Sequence, residues 1–303
     1  MIASTYIPNL KDLYDAVRVK HWIKNLLVPI VGLATISNLE DYDNYIYELT
    51  FAFFAFCIAS SSIYVINDLM DREKDRAHPS KRHRPIASGK INISVAYLLI
   101  FFSIPGSLYL AAICSREIAL LLSVYLVINV LYSIKLKNIP QVDIICVASG
   151  FTLRALAGAL AVSQDINFWM LGTITFSCMA LAVMKRMKEI KQLGRSGETR
   201  SVLKGYSYDS LAKIHDMFLI LSVLTSTIYI GSLNLTDPLI KALGLTIISG
   251  VFLVVVQKIQ QHDNGDPTDF FYRNKFFSGT IVVFAFVLLR VSIDTSTSGV
   301  VGG

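Results

Sequence analysis

Ile66-Asn67-Asp68-Leu69-Met70-Asp71-Arg72-Glu73-Lys74-Asp75-Arg76-Ala77-His78-Pro79-Ser80-Lys81-Arg82-His83-Arg84-Pro85-Ile86-Ala87-Ser88-Gly89 stands directly behind an apolar run long enough to cross a bilayer. If that run continues as helix, Asn67, Asp68, Asp71 and Asp75 fall within an arc of roughly 100°. One helix face then carries three carboxylates and an amide. Hard divalent cations take oxygen ligands, commonly one or two carboxylates plus substrate phosphates. The face therefore suits a Mg²⁺-bridged phosphate, with Asp68, Asp71 and Asp75 as ligands, Asn67 positioning them, and Mn²⁺ as the alternative ion. Lys81, Arg82 and Arg84 suit the phosphate itself. A cytoplasmic positive-inside loop is the plainer reading of the bases, but topology asks only for Lys and Arg and leaves the acids unexplained.

Composition agrees with a membrane setting. Of 303 residues, 53% are hydrophobic and only 17% charged, far from the mix of a soluble domain. Residues 1–25 are polar and mixed in charge, so no cleaved signal peptide is expected and the N-terminus is expected to stay in the cytoplasm. Cys57, Cys114, Cys146 and Cys178 lie far apart in or near apolar runs, form no CxxC pair, and read as small buried hydrophobes. The net charge of +6 is carried in short loops between apolar runs, which favours anionic head groups and phosphorylated substrates over nucleic acid. There is no GxxxxGK[ST], GxSxG or HExxH and no glycine-rich strand-to-helix turn, which argues against an ATP-driven pump, a hydrolase or a nucleotide-fold enzyme.

Apolar segments recur at about 23–38, 46–66, 91–113, 117–133, 143–163, 168–184, 216–233, 238–257 and 277–293. The spacing predicts an all-α integral membrane protein of nine transmembrane helices, a single domain over 1–303. Residues 1–21 form a cytoplasmic N-terminal segment, and 67–90, 134–142, 185–215 and 258–276 are the cytoplasmic loops. Of the 28 Lys and Arg, all but Arg116, Lys241, Arg154 and Arg290 then lie on the cytoplasmic side, where the active site is expected too.

Three further groups of polar residues stand at the ends of these segments. Arg18, Lys20, Trp22, Lys24 and Asn25 precede the first span; they read either as snorkelling bases with an interfacial Trp or as a phosphate clamp. Tyr132, Lys135, Lys137 and Asp143 flank Pro140, which breaks the helix and leaves Asp143 near the start of the next, either as a favourable first-turn charge or as a site group. Arg154 follows on nearly the same face, about 16 Å deeper, and charges at that depth face a polar cavity or an ion-pair partner. Lys185, Arg186, Lys188 and Glu189 leave the sixth span; Lys185 and Glu189 are spaced as an i, i+4 pair on a solvated helix face, and Lys185 and Arg186 are close enough to the membrane to reach a phosphate. Asp266-Pro267-Thr268-Asp269 reads first as a turn and helix cap, with a substrate contact as the alternative.

The motif Asn67-Asp68-x-x-Asp71-x-x-x-Asp75 resembles the NDxxDxxxD motif of the UbiA prenyltransferase superfamily. Within it, Asp75 to Gly89, Tyr132-Ser133-x-x-Leu136-Lys137, Gly150-Phe151-x-Leu153-Arg154-Ala155 and Lys185-Arg186-x-x-Glu189 are most similar to the decaprenyl-phosphate phosphoribosyltransferase branch. The resemblance implies a nine-helix bundle in the bacterial inner membrane. It also implies Mg²⁺-dependent transfer of 5-phosphoribosyl from phosphoribosyl pyrophosphate to a polyprenyl phosphate, releasing diphosphate, for cell-envelope polysaccharide precursors. Asp68, Asp71, Asp75 and Asn67 would form the catalytic metal set. Lys81, Arg82 and Arg84 would clamp the donor phosphates, and Arg18, Lys24, Asn25, Tyr132, Lys137, Asp143, Arg154, Lys185 and Arg186 would contact the remaining substrate. The chain departs from the wider superfamily in its second acid motif, where Asp143 stands alone with Val147 four residues on, so the metal falls to the first motif. Two other functions share that first motif or its surroundings: isoprenyl transfer from a diphosphate to a small acceptor, and lipid-phosphate binding or transport without catalysis. A homo-oligomer is compatible with all three.

Overall fold

The computed structural model describes residues 8–36, 42–79, 81–162, 166–193 and 201–232. In chain order the helices are α1 (Leu10–Val17), α2 (Leu27–Thr35), α3 (Tyr42–Met70), α4 (Arg72–Ala77), α5 (Ile93–Cys114), α6 (Arg116–Ile134), α7 (Val142–Ala161), α8 (Phe168–Leu193) and α9 (Tyr208–Ser232). Short 3-10 turns occupy Val19–Leu26, Lys81–His83, Leu136–Asn138 and Ser201–Gly205. No strand occurs among the described residues. Among the described residues six helices, α3 and α5 to α9, are long and apolar enough to cross a membrane.

These six answer to the apolar stretches expected at 46–66, 91–113, 117–133, 143–163, 168–184 and 216–233. The first stretch differs: its N-terminal part is a 3-10 turn, and α2, at nine residues, rises only about 13 Å. The stretches at 238–257 and 277–293, the loop 258–276 and the turn at Asp266–Asp269 lie outside the described residues. The helix α8 corrects the loop expected from 185, because it runs on to Leu193 and carries Lys185, Arg186 and Glu189 as helical residues.

The chain divides into two compact units. One comprises Met1–Leu26 and Thr50–Leu136, the other Leu27–Leu49 and Lys137–Gly303.

In the first unit, Asn9 opens α1 with a capping box: its Oδ1 accepts from Asp12 N at 2.8 Å while the Asp12 carboxylate accepts from Asn9 N at 3.4 Å. Arg18 ends the helix in the left-handed region (φ 53, ψ 52) and turns the chain into the 3-10 segment. A non-glycine residue there costs about 1–2 kcal/mol, so its contacts must hold it. Asn92 and Ser115 cap α5 and α6 by accepting from Val95 N and Ile118 N. Pro85, Ile86 and Ala87 turn inward after Arg84, and Ile86 and Ile91 pack with Ala16, Val65 and Ala96. That apolar plug anchors the turn and fixes where Arg84 points.

In the second unit, α2 and α7 meet at glycines. A Cβ on Gly158 would lie 2.1 Å from Val28 O, and one on Gly32 would lie 2.8 Å from Gly158 O. Only glycine permits so close an approach of two backbones. Hydroxyl pairs bind the next helices: Thr152 to Thr175 at 2.7 Å between α7 and α8, and Ser177 to Ser222 at 2.7 Å and Thr173 to Thr225 at 3.1 Å between α8 and α9. One apolar core gathers Ile144, Val183, Leu203 and Leu211, and another Val31, Ala155, Met170 and Ile230.

Candidate active site

At the end of α3, the helical reading of the acid motif holds with one interruption. Asp71 N donates to Asn67 O at 2.9 Å and Asp75 N to Asp71 O at 2.8 Å, but the helix breaks at Asp71, which takes the N-cap position of α4. Asp68 and Asp75 nevertheless share a side. Arg84 Nη1 donates to Asp68 Oδ1 at 3.0 Å and to Asp75 Oδ2 at 2.6 Å, and Arg18 Nη2 donates to Asp68 Oδ1 at 2.5 Å. The carboxylates are buried while the side chains of Arg18 and Arg84 keep 20% and 26% of their surface exposed. Arg18 also lies 4.9 Å from the centre of the Tyr64 ring, a cation–π contact. Asp68 and Tyr64 together hold Arg18 in its left-handed turn.

The acids in this set, Asp68 and Asp75, offer oxygen ligands, as a hard cation requires. Among the described residues, however, no three acid, His or Cys side chains gather where they could hold an ion. The physical reason is Arg84, whose guanidinium stands between Asp68 and Asp75. A cation and the two arginines compete for the same carboxylate oxygen.

A second cluster stands at the start of α7. Asp143 is fully buried in the first turn, where Gln141 takes the N-cap position without a side-chain hydrogen bond and in a left-handed conformation (φ 66). Asp143 Oδ2 accepts from Arg186 Nε at 2.6 Å and its Oδ1 accepts from Tyr206 Oη at 2.5 Å. Arg186 Nη1 reaches Glu189 Oε2 at 2.5 Å, and Tyr206 Oη accepts from Gln141 N at 2.6 Å. Burial, and next the hydrogen bond to Asp143, push the Tyr206 hydroxyl above the ordinary tyrosine range, so it stays a donor. Gly205 lets this happen, since a Cβ there would meet Pro140 Cγ at 2.4 Å. Glu189 thus pairs with Arg186, whose side chain is buried while that of Glu189 keeps 21% of its surface exposed.

Other expected site residues have their own surroundings. Asn25 is buried, and its Nδ2 donates to Cys57 Sγ at 3.3 Å and Ser60 Oγ at 3.2 Å, tying the 3-10 segment to α3. Arg154 is buried in α7 with Nη1 on Gly150 O at 2.6 Å and its guanidinium 5.6 Å from the centre of the Phe151 ring. Arg82 is exposed and donates to its neighbour His83 at 3.3 Å. Lys24, Lys81, Tyr132, Lys137, Lys185 and Asn67 are half-buried. Sequence reasoning missed Tyr64 and Tyr206. Tyr64, one turn before Asp68 on α3, carried a usable signal; Tyr206 carried none.

The UbiA prenyltransferase family model matches residues 26–281. The chain belongs to the UbiA prenyltransferase family. It is 39% identical over 201 residues to the decaprenyl-phosphate phosphoribosyltransferase of Mycolicibacterium smegmatis, covering 65% of this chain and 63% of the relative. It is 36% identical over 203 residues to the enzyme of the same name from Corynebacterium glutamicum, covering 66% and 61%. The chain thus spans somewhat under two thirds of the length of these curated relatives. A UbiA homolog from Archaeoglobus fulgidus, solved with GPP and Mg²⁺, shares the fold with a TM-score of 0.71 at 16% identity, over 94% of this chain and 99% of that one. The protein is an all-α, UbiA-like integral membrane bundle.

Proposed function

We propose that the chain transfers 5-phosphoribosyl from phosphoribosyl pyrophosphate to a polyprenyl phosphate and releases diphosphate, in the synthesis of a cell-envelope polysaccharide precursor. The observation that carries the reading is the cluster of Asp68 and Asp75 with the partly exposed side chains of Arg18 and Arg84, in a chain whose curated relatives carry that activity in their names. The phosphate oxygen of the lipid attacks the anomeric carbon, and the bond from that carbon to diphosphate breaks. An ionised phosphate is already a competent nucleophile, so the residues have to orient and neutralise rather than remove a proton.

Arg84 and Arg18 bind phosphate oxygens, the bidentate geometry of guanidinium matching that anion, with Lys81 and Arg82 nearby in sequence as further cations. Mg²⁺, when bound, would neutralise the departing diphosphate. Asp68, Asp71 and Asp75 would hold it, with Asn67 positioning the helix end; carboxylate oxygens suit an ion that completes its shell with waters and substrate oxygens. Tyr132, Lys24, Lys137 and Lys185 are the remaining candidates for lipid or sugar phosphate. Asn25, Asp143, Arg154 and Arg186 are assigned positioning roles because they are buried against protein partners. The reading includes one domain of nine spans in the bacterial inner membrane with the N-terminus and the site cytoplasmic. It is supported by the six long helices, the apolar stretches at 23–38, 238–257 and 277–293, and the one-sided placement of the bases.

The test is purified chain with radiolabelled phosphoribosyl pyrophosphate and polyprenyl phosphate. Label appears in the lipid with Asp68 intact and is lost with Asp68→Asn. Isoprenyl transfer from a diphosphate without lipid label overturns the reading in favour of a prenyltransferase, and binding without either turnover favours a lipid-phosphate carrier.

A further inference from the structure

We propose that Tyr64 is a positioning residue that keeps Arg18 at the site while its guanidinium passes from Asp68 to a phosphate of the diphosphate donor; this rests on the phosphoribosyl-transfer reading and names what orients its phosphate clamp. Ser61, Tyr64 and Asp68 follow one another along one face of α3, and each grips the turn that begins at Val17. Ser61 Oγ donates to Val17 O at 2.8 Å and accepts from Trp22 Nε1 at 3.0 Å, which fastens the turn on both sides of Arg18. Asp68 Oδ1 accepts from Arg18 Nη2 at 2.5 Å. Between these two, the Tyr64 ring centre lies 4.9 Å from the Arg18 guanidinium carbon and 5.3 Å from the centre of the His21 ring. His21 N donates in turn to Arg18 O at 2.8 Å, so backbone and side chain of the turn both bear on this ring.

The two arginines on Asp68 differ in what they can give up. Arg84 donates to Asp75 as well, at 2.6 Å, so it keeps a carboxylate when Asp68 turns to another partner. Among the described residues Arg18 pairs with Asp68 alone. A phosphate that takes the Arg18 N–H groups ends that pair, and Tyr64 is the side-chain contact that remains. A guanidinium donates in its own plane and meets an aromatic ring with its face, so ring and phosphate do not compete. Arg18 is also held in the left-handed region, φ 53, a conformation that relaxes once the side chain is let go. The ring therefore raises the fraction of free protein whose Arg18 is ready for phosphate, and apparent donor affinity scales with that fraction. At saturating donor the fraction is complete with or without the ring, so turnover is untouched.

The experiment uses full-length protein in nanodiscs and reads KM for phosphoribosyl pyrophosphate, KM for polyprenyl phosphate and kcat separately. Tyr64→Leu is expected to raise KM for phosphoribosyl pyrophosphate about fivefold while kcat and KM for the lipid stay within about twofold of wild type. Tyr64→Phe keeps the ring and should match wild type. Pentafluorophenylalanine in place of Tyr64 keeps the ring's shape but removes its negative face, and should behave like Tyr64→Leu. On an Arg18→Gln background Tyr64→Leu should change nothing further, because the ring acts through Arg18. The proposal is overturned by a wild-type KM in folded Tyr64→Leu, by a Tyr64→Phe as impaired as Tyr64→Leu, by an equal rise in KM for the lipid, or by an undiminished effect on the Arg18→Gln background. Tyr64→Phe and the fluorinated ring decide the matter if Tyr64→Leu does not fold. If the chain takes an isoprenyl diphosphate instead, the same variants are read against that donor. A ring-dependent KM there sinks the phosphoribosyl reading and keeps Tyr64 in its role, whereas ribose transfer with a KM indifferent to the ring does the reverse.

Discussion

At the end of α3, Asp68 is buried while Arg18 and Arg84 keep 20% and 26% of their side-chain surface open; at the start of α7, Asp143 and Arg186 keep 0% and 3%. Both clusters set an aspartate on a helix end against arginine, and they differ in whether solution reaches the arginine. An open guanidinium can trade a carboxylate for a phosphate at modest cost, because water screens both states. A sealed one cannot, because leaving either partner alone in a low dielectric is expensive. Similar chemistry therefore serves exchange in one place and rigidity in the other.

The largest expected effect comes from the sealed cluster. Arg186→Met strands the Asp143 carboxylate and is expected to cost about 3–5 kcal/mol of stability, read as a fall in thermal midpoint in detergent. A midpoint unchanged from wild type would mean that the pair is not sealed. Arg84→Gln in the open cluster should lose about 1–2 kcal/mol of stability, yet lower kcat/KM for phosphoribosyl pyrophosphate by roughly a hundredfold. Equal activity in that variant would deny Arg84 its phosphate role. Tyr206→Phe removes one donor from Asp143 and should cost about 1–3 kcal/mol at neutral pH. The raised Tyr206 pKa gives this difference a sign. Below the ordinary tyrosine value of about 10 the hydroxyl is protonated folded or unfolded, and its contribution is complete. Above it the unfolded chain releases a proton that the folded chain retains, so the advantage of wild type over Tyr206→Phe should shrink as pH rises past about 10. A gap that widened with pH would reverse the assignment. Gln141→Gly is the smallest: it relieves a left-handed glutamine and should raise stability by about 1 kcal/mol or less, with Gln141 N still bonded to Tyr206.

Hydropathy made six of the described helices legible, and the spacing of Asn67, Asp68, Asp71 and Asp75 put Asp68 and Asp75 on one side. The partners of those acids were not legible. Arg84 reaches back to Asp68 only because Ile86 and Ile91 bury themselves against Ala16, Val65 and Ala96, a packing event that no local pattern announces. Tyr206 meets Asp143 across 63 residues from a short 3-10 turn without periodicity. Arg186 read as a phosphate contact at the membrane edge, whereas its i+3 acid and its distant aspartate pull it inward, and helix periodicity alone favours neither outcome. The end of α8 was missed because the stretch past Met184 is mostly charged; pairing of Arg186 with Glu189 and burial of Ile190 let the helix run on to Leu193.

The contact between Gly32 and Gly158 has a mechanical consequence. Backbone lies on backbone there, so no side chain is available to bend and take up displacement between α2 and α7. Near its other end α7 is fastened through Asp143 to α8 and to the turn that precedes α9. Held near both ends in this way, α7 is fixed in register against α2 and α8.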